Sequence, residues 1–341
     1  TEPGRFRIAP VLLHKRNLKG MRKHDMQTTT KKRLSGMRFG LLLLLGIALV
    51  IYLVFKLLAP GNFGAPANLS SYAQQCIIQA VAACGFYFIM TMGLFDFSLG
   101  SNIILSAIIG SLCSARFGYA GLIIGAVLCG ALIGLLNGVI YVKFRIPSII
   151  VTVGMMMLYE CAASLISGGK LVGVGRDMQA FASAPWNIIL ALLAFILAVV
   201  ILRYTKIGTY TYAIGSNESV AKNMGIRVDK YKVVAFVIYG VFVGLMSILT
   251  ISYGSSIQAE TGMGSSSRNF VPVMGCFFGI AFKQYNCPIT AIVIGEFIIY
   301  MMLNGLLALG VPSTIQNVII GATLLVIVAA TTKRVKGAVV K

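Results

Sequence analysis

Four ionisable side chains stand inside long apolar runs: Lys56, Asp96, Glu160 and Glu296. Charge is costly in lipid, so such residues point to a pathway, a relay or a satisfied structural bond. Asp96 says most. It lies in GLFDFSLGS, Gly93–Ser101, and Asn102 follows directly. Glycine, serine and asparagine make this stretch flexible and polar. Two chemistries fit Asp96. It can face a path for a polar solute, or it can cap the next helix by accepting from the Ser98 or Leu99 amide. For Glu160 and Glu296, several residues inside their runs, a buried hydrogen bond and a pore role both fit.

Enzyme chemistry finds no support. There is no HExxH, and no G-x-S-x-G elbow. Gly168-Gly169-Lys170 lacks the first glycine and the Ser/Thr of a phosphate loop. Both histidines, His14 and His24, fall in a basic tail, which removes a histidine metal site from the apolar segments. The seven cysteines form no CxxC pair and read as small packing residues. The expected set is no catalytic residue, no metal and no cofactor bound by this chain.

The elements that must hold these residues are membrane helices. Of 341 residues, 58% are hydrophobic and 11% charged. The apolar runs are continuous rather than alternating, which selects helices over a barrel. About 20 apolar residues cross a bilayer. The runs predict an all-α integral membrane protein of about ten segments: 40–59, 71–94, 99–115, 120–142, 147–166, 186–203, 232–252, 269–282, 288–309 and 313–331. The first is too long for a signal peptide and reads as an uncleaved helix. Residues 1–20, ahead of Met21, read as an upstream extension or a longer tail.

Charge sets the orientation. The net charge is +20. Eleven of the 29 Lys and Arg precede residue 39, six lie from Arg203 to Lys232 and four follow Thr332. These are flanks and loops of apolar runs, so the excess is a positive-inside signal rather than a nucleic-acid groove. The expected organisation is a cytoplasmic tail over 1–39, a transmembrane domain over 40–331 with a cytoplasmic loop at 204–231, and a cytoplasmic tail over 332–341. Both termini then lie inside; membrane lipid is an expected partner of the chain, and the basic tail fits headgroup binding and a purely orienting role alike.

Two interruptions fall in the two halves of the chain: Gly93–Ser101 and Gly254–Asn269, the second before a half-length segment. Broken helices in matching halves point to a substrate path, and two ordinary tight turns fit equally. Gly121, Gly125, Gly130, Gly134 and Gly138 put small residues on one helix face, for close packing. In the loop, 215–226 reads GSNESVAKNMGI. Ser216 or Asn217 can cap a short helix, Glu218 suits its first turn, and Gly225 can close it. That helix fits a lever for another protein and an inert connector alike.

At this loop a family becomes recognisable. Lys206–Val228, KIGTYTYAIGSNESVAKNMGIRV, resembles the cytoplasmic coupling loop of ribose/xylose/galactose-type ABC permeases. Asn137–Gly169 and Asn304–Ala329 are similar to two further family blocks, and Met92–Ser101 to the GGIDLSVGS signature, with Asp96, Ser98, Gly100 and Ser101 in place. The resemblance implies the membrane-spanning permease subunit of an ABC importer in a bacterial inner membrane, carrying a monosaccharide or similar small polar solute. It implies a second permease copy, a separate ATPase subunit that uses ATP, and an extracytoplasmic solute-binding protein. Gly215, Asn217, Glu218, Ala221 and Gly225 would form the ATPase-coupling element. Asp96, Ser98, Asn102, Glu160, Asn269 and Glu296 are the candidate pathway residues. Leu94 stands for the second glycine of the signature, Glu160 where relatives usually carry Arg, Asn269 near a typical Asp, and Glu296 near a small residue. These departures bear on the solute. A nucleoside or branched-chain amino-acid permease is the alternative within the family, and an ion-coupled carrier or channel the alternative outside it.

Overall fold

A computed structural model describes residues 36–175, 178–312 and parts of 315–326. The tails over 1–35 and 327–341, and much of the predicted last segment, lie outside the described residues. The described helices are α1 (Gly36–Leu58), α2 (Pro66–Thr91), α3 (Leu99–Phe144), α4 (Ser148–Ser167), α5 (Trp186–Tyr204), α6 (Lys206–Ser216), α7 (Glu218–Asn223), α8 (Val228–Gly254), α9 (Phe270–Ala281) and α10 (Pro288–Ala308). Seven of them, α1 to α5, α8 and α10, are long and apolar enough to cross a membrane.

α3 is 46 residues long and breaks at Gly118, with φ 61° and ψ −146°. Its two arms double back on each other. A Cβ on Gly110 would sit 2.9 Å from that of Ala126, and one on Gly121 would sit 2.3 Å from the Cys113 carbonyl oxygen. The glycine face of the second arm meets α8: a Cβ on Gly134 would lie 2.2 Å from the Phe236 carbonyl oxygen, and one on Gly240 2.2 Å from that of Gly130. Helices with little apolar drive to associate in lipid gain contact by approaching this closely.

The core is layered around α2 and α8. In each, 67% of the most apolar window is buried, against 11% in α1. Phe86, Tyr87 and Phe88 of α2 pack with Phe236, Tyr239 and Phe242 of α8. α1, α9 and α10 form a second cluster at one side, and the arms of α3 with α4 a third. Lys56 serves structure here: its ammonium donates to the Pro60 and Phe63 carbonyls, both at 2.9 Å, at the end of α1.

Three boundaries differ from those expected. α2 starts at Pro66 rather than near 71, because a proline at the first helical position loses no needed donor. The loop over 204–231 holds the expected short helix, α7, and ahead of it a second that was not expected, α6. The loops after α4 and α8 pair briefly as antiparallel strands, β1 (Val172–Gly173) with β2 (Ser256–Ile257).

Candidate translocation and coupling site

α2 ends in a Schellman closure: Gly93 takes φ 78°, its amide donates to the Met90 carbonyl and the Leu94 amide to that of Ile89. The chain then crosses to α3 through the Asp96 turn, which is irregular backbone among packed helices. With no water in the bilayer core, its polar groups need protein partners. α4 supplies two: the Phe95 amide donates to Ser148 Oγ and the Phe97 amide to Thr152 Oγ1, each at 2.9 Å.

Asp96 is fully buried. Its Oδ1 accepts from the Ser98 amide and hydroxyl, both at 2.6 Å. Oδ2 accepts from Asn137 Nδ2 at 2.8 Å, and the same nitrogen donates to Ser98 Oγ at 2.8 Å. Asn137 Oδ1 accepts from the Tyr159 hydroxyl at 2.9 Å. Both oxygens of Asp96 and the Asn137 Oδ1 each accept at least one bond. The expected bond from the Ser98 amide forms, but as a turn just ahead of α3; the N-cap of α3 is Ser98, and it makes no side-chain capping bond. Asn102 stands one turn on, its amide donating to the Ser98 carbonyl and its Oδ1 accepting from Ser106; its own Nδ2 is buried without a partner.

The two interruptions meet. Asn269 Nδ2 donates to the Phe97 carbonyl, and Asn269 Oδ1 accepts from the Gly100 amide, both at 2.7 Å. Gly100 is required here, since a Cβ would fall 1.9 Å from the Ser265 carbonyl oxygen. Glu160 of α4 grips the same second break. It accepts from the Met263 amide at 2.9 Å, and from the Ser265 amide and hydroxyl at 3.0 and 2.5 Å. The break itself is a 3-10 turn, Gly264–Asn269, leading into the 12-residue α9. At about 1.5 Å per residue, α9 spans only about half a bilayer.

Glu296 stands apart. It is fully buried on α10, against Gly275 of α9, and neither of its oxygens has a hydrogen-bond partner. No hydrogen bond joins it to the Asp96 or Glu160 groups.

On the loop side, Asn217 Oδ1 accepts from the Val220 amide at 3.1 Å and caps α7. Gly225, at φ 82°, closes it: its amide donates to the Lys222 carbonyl and that of Ile226 to the Ala221 carbonyl. Ala221 is buried against the core. Lys232 of α8 donates to Glu218 at 2.8 Å and to the Tyr141 hydroxyl at 3.3 Å. Gly215 lies against the end of α2, where a Cβ would come 1.8 Å from the Thr91 carbonyl oxygen. The α6–α7 unit therefore touches the helix end that feeds the Asp96 turn. α7, α8 and α3 also frame a cavity of about 490 Å³ that includes Arg145, Glu218 and Lys222.

The family described as the permease component of the branched-chain amino acid transport system matches residues 68–328. The chain belongs to that family. The permease is a multi-pass membrane protein, a subunit of an import system. It is 27% identical over 301 residues to the ribose import permease of Escherichia coli K12, covering 84% of this chain and 92% of that protein. It is 30% identical over 266 residues to an autoinducer 2 import permease of Yersinia pseudotuberculosis, covering 75% and 73%. It is 26% identical over 290 residues to the L-arabinose ABC transporter permease of Azospirillum brasilense, covering 83% and 84%. No solved structure matches.

Sequence reasoning singled out Asp96, Ser98, Glu160 and Asn269, and the permease brings these four to one junction. It missed Asn137, Tyr159, Ser148 and Thr152, which complete that junction. Asn137 stands between Gly134 and Gly138 on the packing face of α3. A polar residue on a small-residue face is the one signal that could have found it.

Proposed function

We propose that this permease is the translocating subunit of an ABC importer for a monosaccharide, powered by a separate ATPase subunit that docks on α6–α7 and working as two copies. Three relatives named for ribose, autoinducer 2 and arabinose support the solute class. The orientation rests on the basic residues, which put both termini and the 204–231 loop on the cytoplasmic side. Ten crossings fit that orientation: the seven long helices, the second arm of α3, the half-length α9 joined to its 3-10 turn, and the segment after 312. The chain carries no phosphate loop, so ATP is hydrolysed elsewhere.

The observation that carries the mechanism is the contact of Gly215 with Thr91. A displacement of α6–α7 by the ATPase reaches the end of α2 through backbone rather than through a flexible side chain. From there the Asp96 turn is tied to α3, α4 and the second break by the bonds of Asp96, Asn137, Thr152 and Asn269. The turn and the Gly264–Asn269 break thus shift together. Asp96, Ser98, Asn102, Glu160 and Asn269 border the pathway this junction gates. The solute undergoes no covalent change. Glu296, buried without a hydrogen-bond partner, takes no part in this junction.

The test is purification of the permease from its native membrane, followed by reconstitution. The expected result is a co-purified ATPase and ATP-dependent uptake of a monosaccharide in vesicles. Uptake by the permease alone, driven by an ion gradient, would overturn the reading in favour of a secondary carrier.

A further inference from the structure

Where α5 ends and α10 begins, a cavity of about 430 Å³ opens between Arg203, Tyr212, Lys283 and Asn286. It runs into a second, of about 380 Å³, walled by Leu192, Phe195 and Ile196 of α5 and by Val293 and Ile294 of α10. Val199, Ile289 and Thr290 line both. The Thr290 hydroxyl is turned away to the Cys287 carbonyl, so the second cavity is apolar throughout. One continuous groove therefore has a cationic head and an apolar tail.

Among the described residues, the cations at the head meet only neutral groups of the protein. Arg203 donates to one carbonyl, that of Asn286. Lys283 lies over the Tyr212 ring, 4.4 Å from its centroid. Among the described residues the ion pairs are Lys232–Glu218 and Arg268–Glu260, and neither Arg203 nor Lys283 has an acidic partner. Two converging cations at the end of a spanning helix call for an anion. From Arg203 back to Leu192 is eleven helical positions, or about 16 Å, half the roughly 30 Å hydrocarbon thickness.

We propose that this groove holds one anionic phospholipid, its phosphate between Arg203 and Lys283 and an acyl chain between α5 and α10. The length match is to one leaflet, which is the cytoplasmic one in the orientation above. A free phosphate would leave the apolar tail of the groove unused. A second copy of the permease would bring more of the same charge, since the chain has 29 Lys and Arg against 9 Asp and Glu.

The experiment is native mass spectrometry of the delipidated full-length permease, titrated in turn with phosphatidylglycerol, phosphatidylcholine and glycerol phosphate. One phosphatidylglycerol is expected to bind in preference to phosphatidylcholine, with glycerol phosphate the weakest. Arg203→Gln and Lys283→Gln should each weaken phosphatidylglycerol about fivefold and leave phosphatidylcholine unchanged. Arg203→Lys should retain most of the affinity, which separates charge from misfolding, and Lys170→Gln, an exposed lysine elsewhere, should change nothing. Val199→Trp, filling the shared stretch, should weaken both lipids. Equal binding of the two lipids, or a double Gln variant with wild-type affinity, would overturn the proposal. So would glycerol phosphate binding as tightly as phosphatidylglycerol, which would mark a free-anion site. So would loss of self-association or of the ATPase with lipid binding intact, which would mark a protein interface.

Discussion

Asp96 and Glu296 are both fully buried carboxylates in a membrane protein, yet their surroundings are opposite. Asp96 accepts three hydrogen bonds, and one of its donors, Asn137, is itself held by Tyr159. Glu296 accepts none. The difference follows the backbone. Asp96 sits in a turn whose amides and carbonyls need partners, and its network supplies order where no helix ladder can. Glu296 sits mid-helix, where the ladder already satisfies the main chain. A buried acid in a permease is thus to be weighed by what the backbone around it lacks rather than by its charge alone. Glu160 obeys the same rule, because its donors are amides of the second break.

The largest effect is expected at Asp96. Asp96→Ala strands the Ser98 amide, the Ser98 hydroxyl and Asn137 in a buried site. Each buried donor left unsatisfied costs about 1–3 kcal/mol. The purified variant should melt far below wild type in detergent, and ATP-driven uptake should be lost. Wild-type melting with normal uptake would remove Asp96 from the junction. Glu160→Gln comes next. It keeps the shape but loses the charge that two amides and a hydroxyl address, for about 1–3 kcal/mol. Its signature is local: amide hydrogen exchange should rise in 260–269 and stay unchanged around Asp96. Tyr159→Phe removes one hydroxyl and leaves Asn137 Oδ1 unpaired, for about 1 kcal/mol in a melting experiment. A loss as large as that of Asp96→Ala would mean that the hydrogen-bond network fails as one unit.

Much of this junction was legible from sequence because its signals are local. Gly225 closes α7 as its place after the short run suggests, and Asn217 caps that helix two residues after Gly215. The glycine face of α3 announced close partners: the first arm of α3 for Gly121 and Gly125, and α8 for Gly130, Gly134 and Gly138. What was not legible is contact between distant positions. Asn137 is 41 residues from Asp96, and Gly100 is 169 from Asn269; one sequence carries no signal for such pairs. α6 was missed for another reason. Its KIGTYTYAIGS mixes glycine, threonine and tyrosine, poor helix formers. It is helical because Gly208, Thr211 and Ile214 are buried against the protein, so packing overrides propensity.

Glu296 gives the smallest expected effect and the sharpest use of the comparison. Glu296→Gln replaces one unpartnered buried polar end by another of the same shape, so melting should stay within about 0.5 kcal/mol of wild type. Glu296→Leu goes further and removes the polar end altogether. An apolar isostere in place of an unsatisfied group is neutral or stabilising, and Gly275 leaves the helix α9 close enough to contact it. Both variants should fold, and both should import solute within about twofold of wild type, since Glu296 holds no partner in the conformation described here. A tenfold loss of uptake with unchanged melting would show instead that Glu296 finds its hydrogen-bond donors in a different transport state. The contrast with Asp96 would then be one of timing: one carboxylate satisfied at rest, the other satisfied only during the cycle.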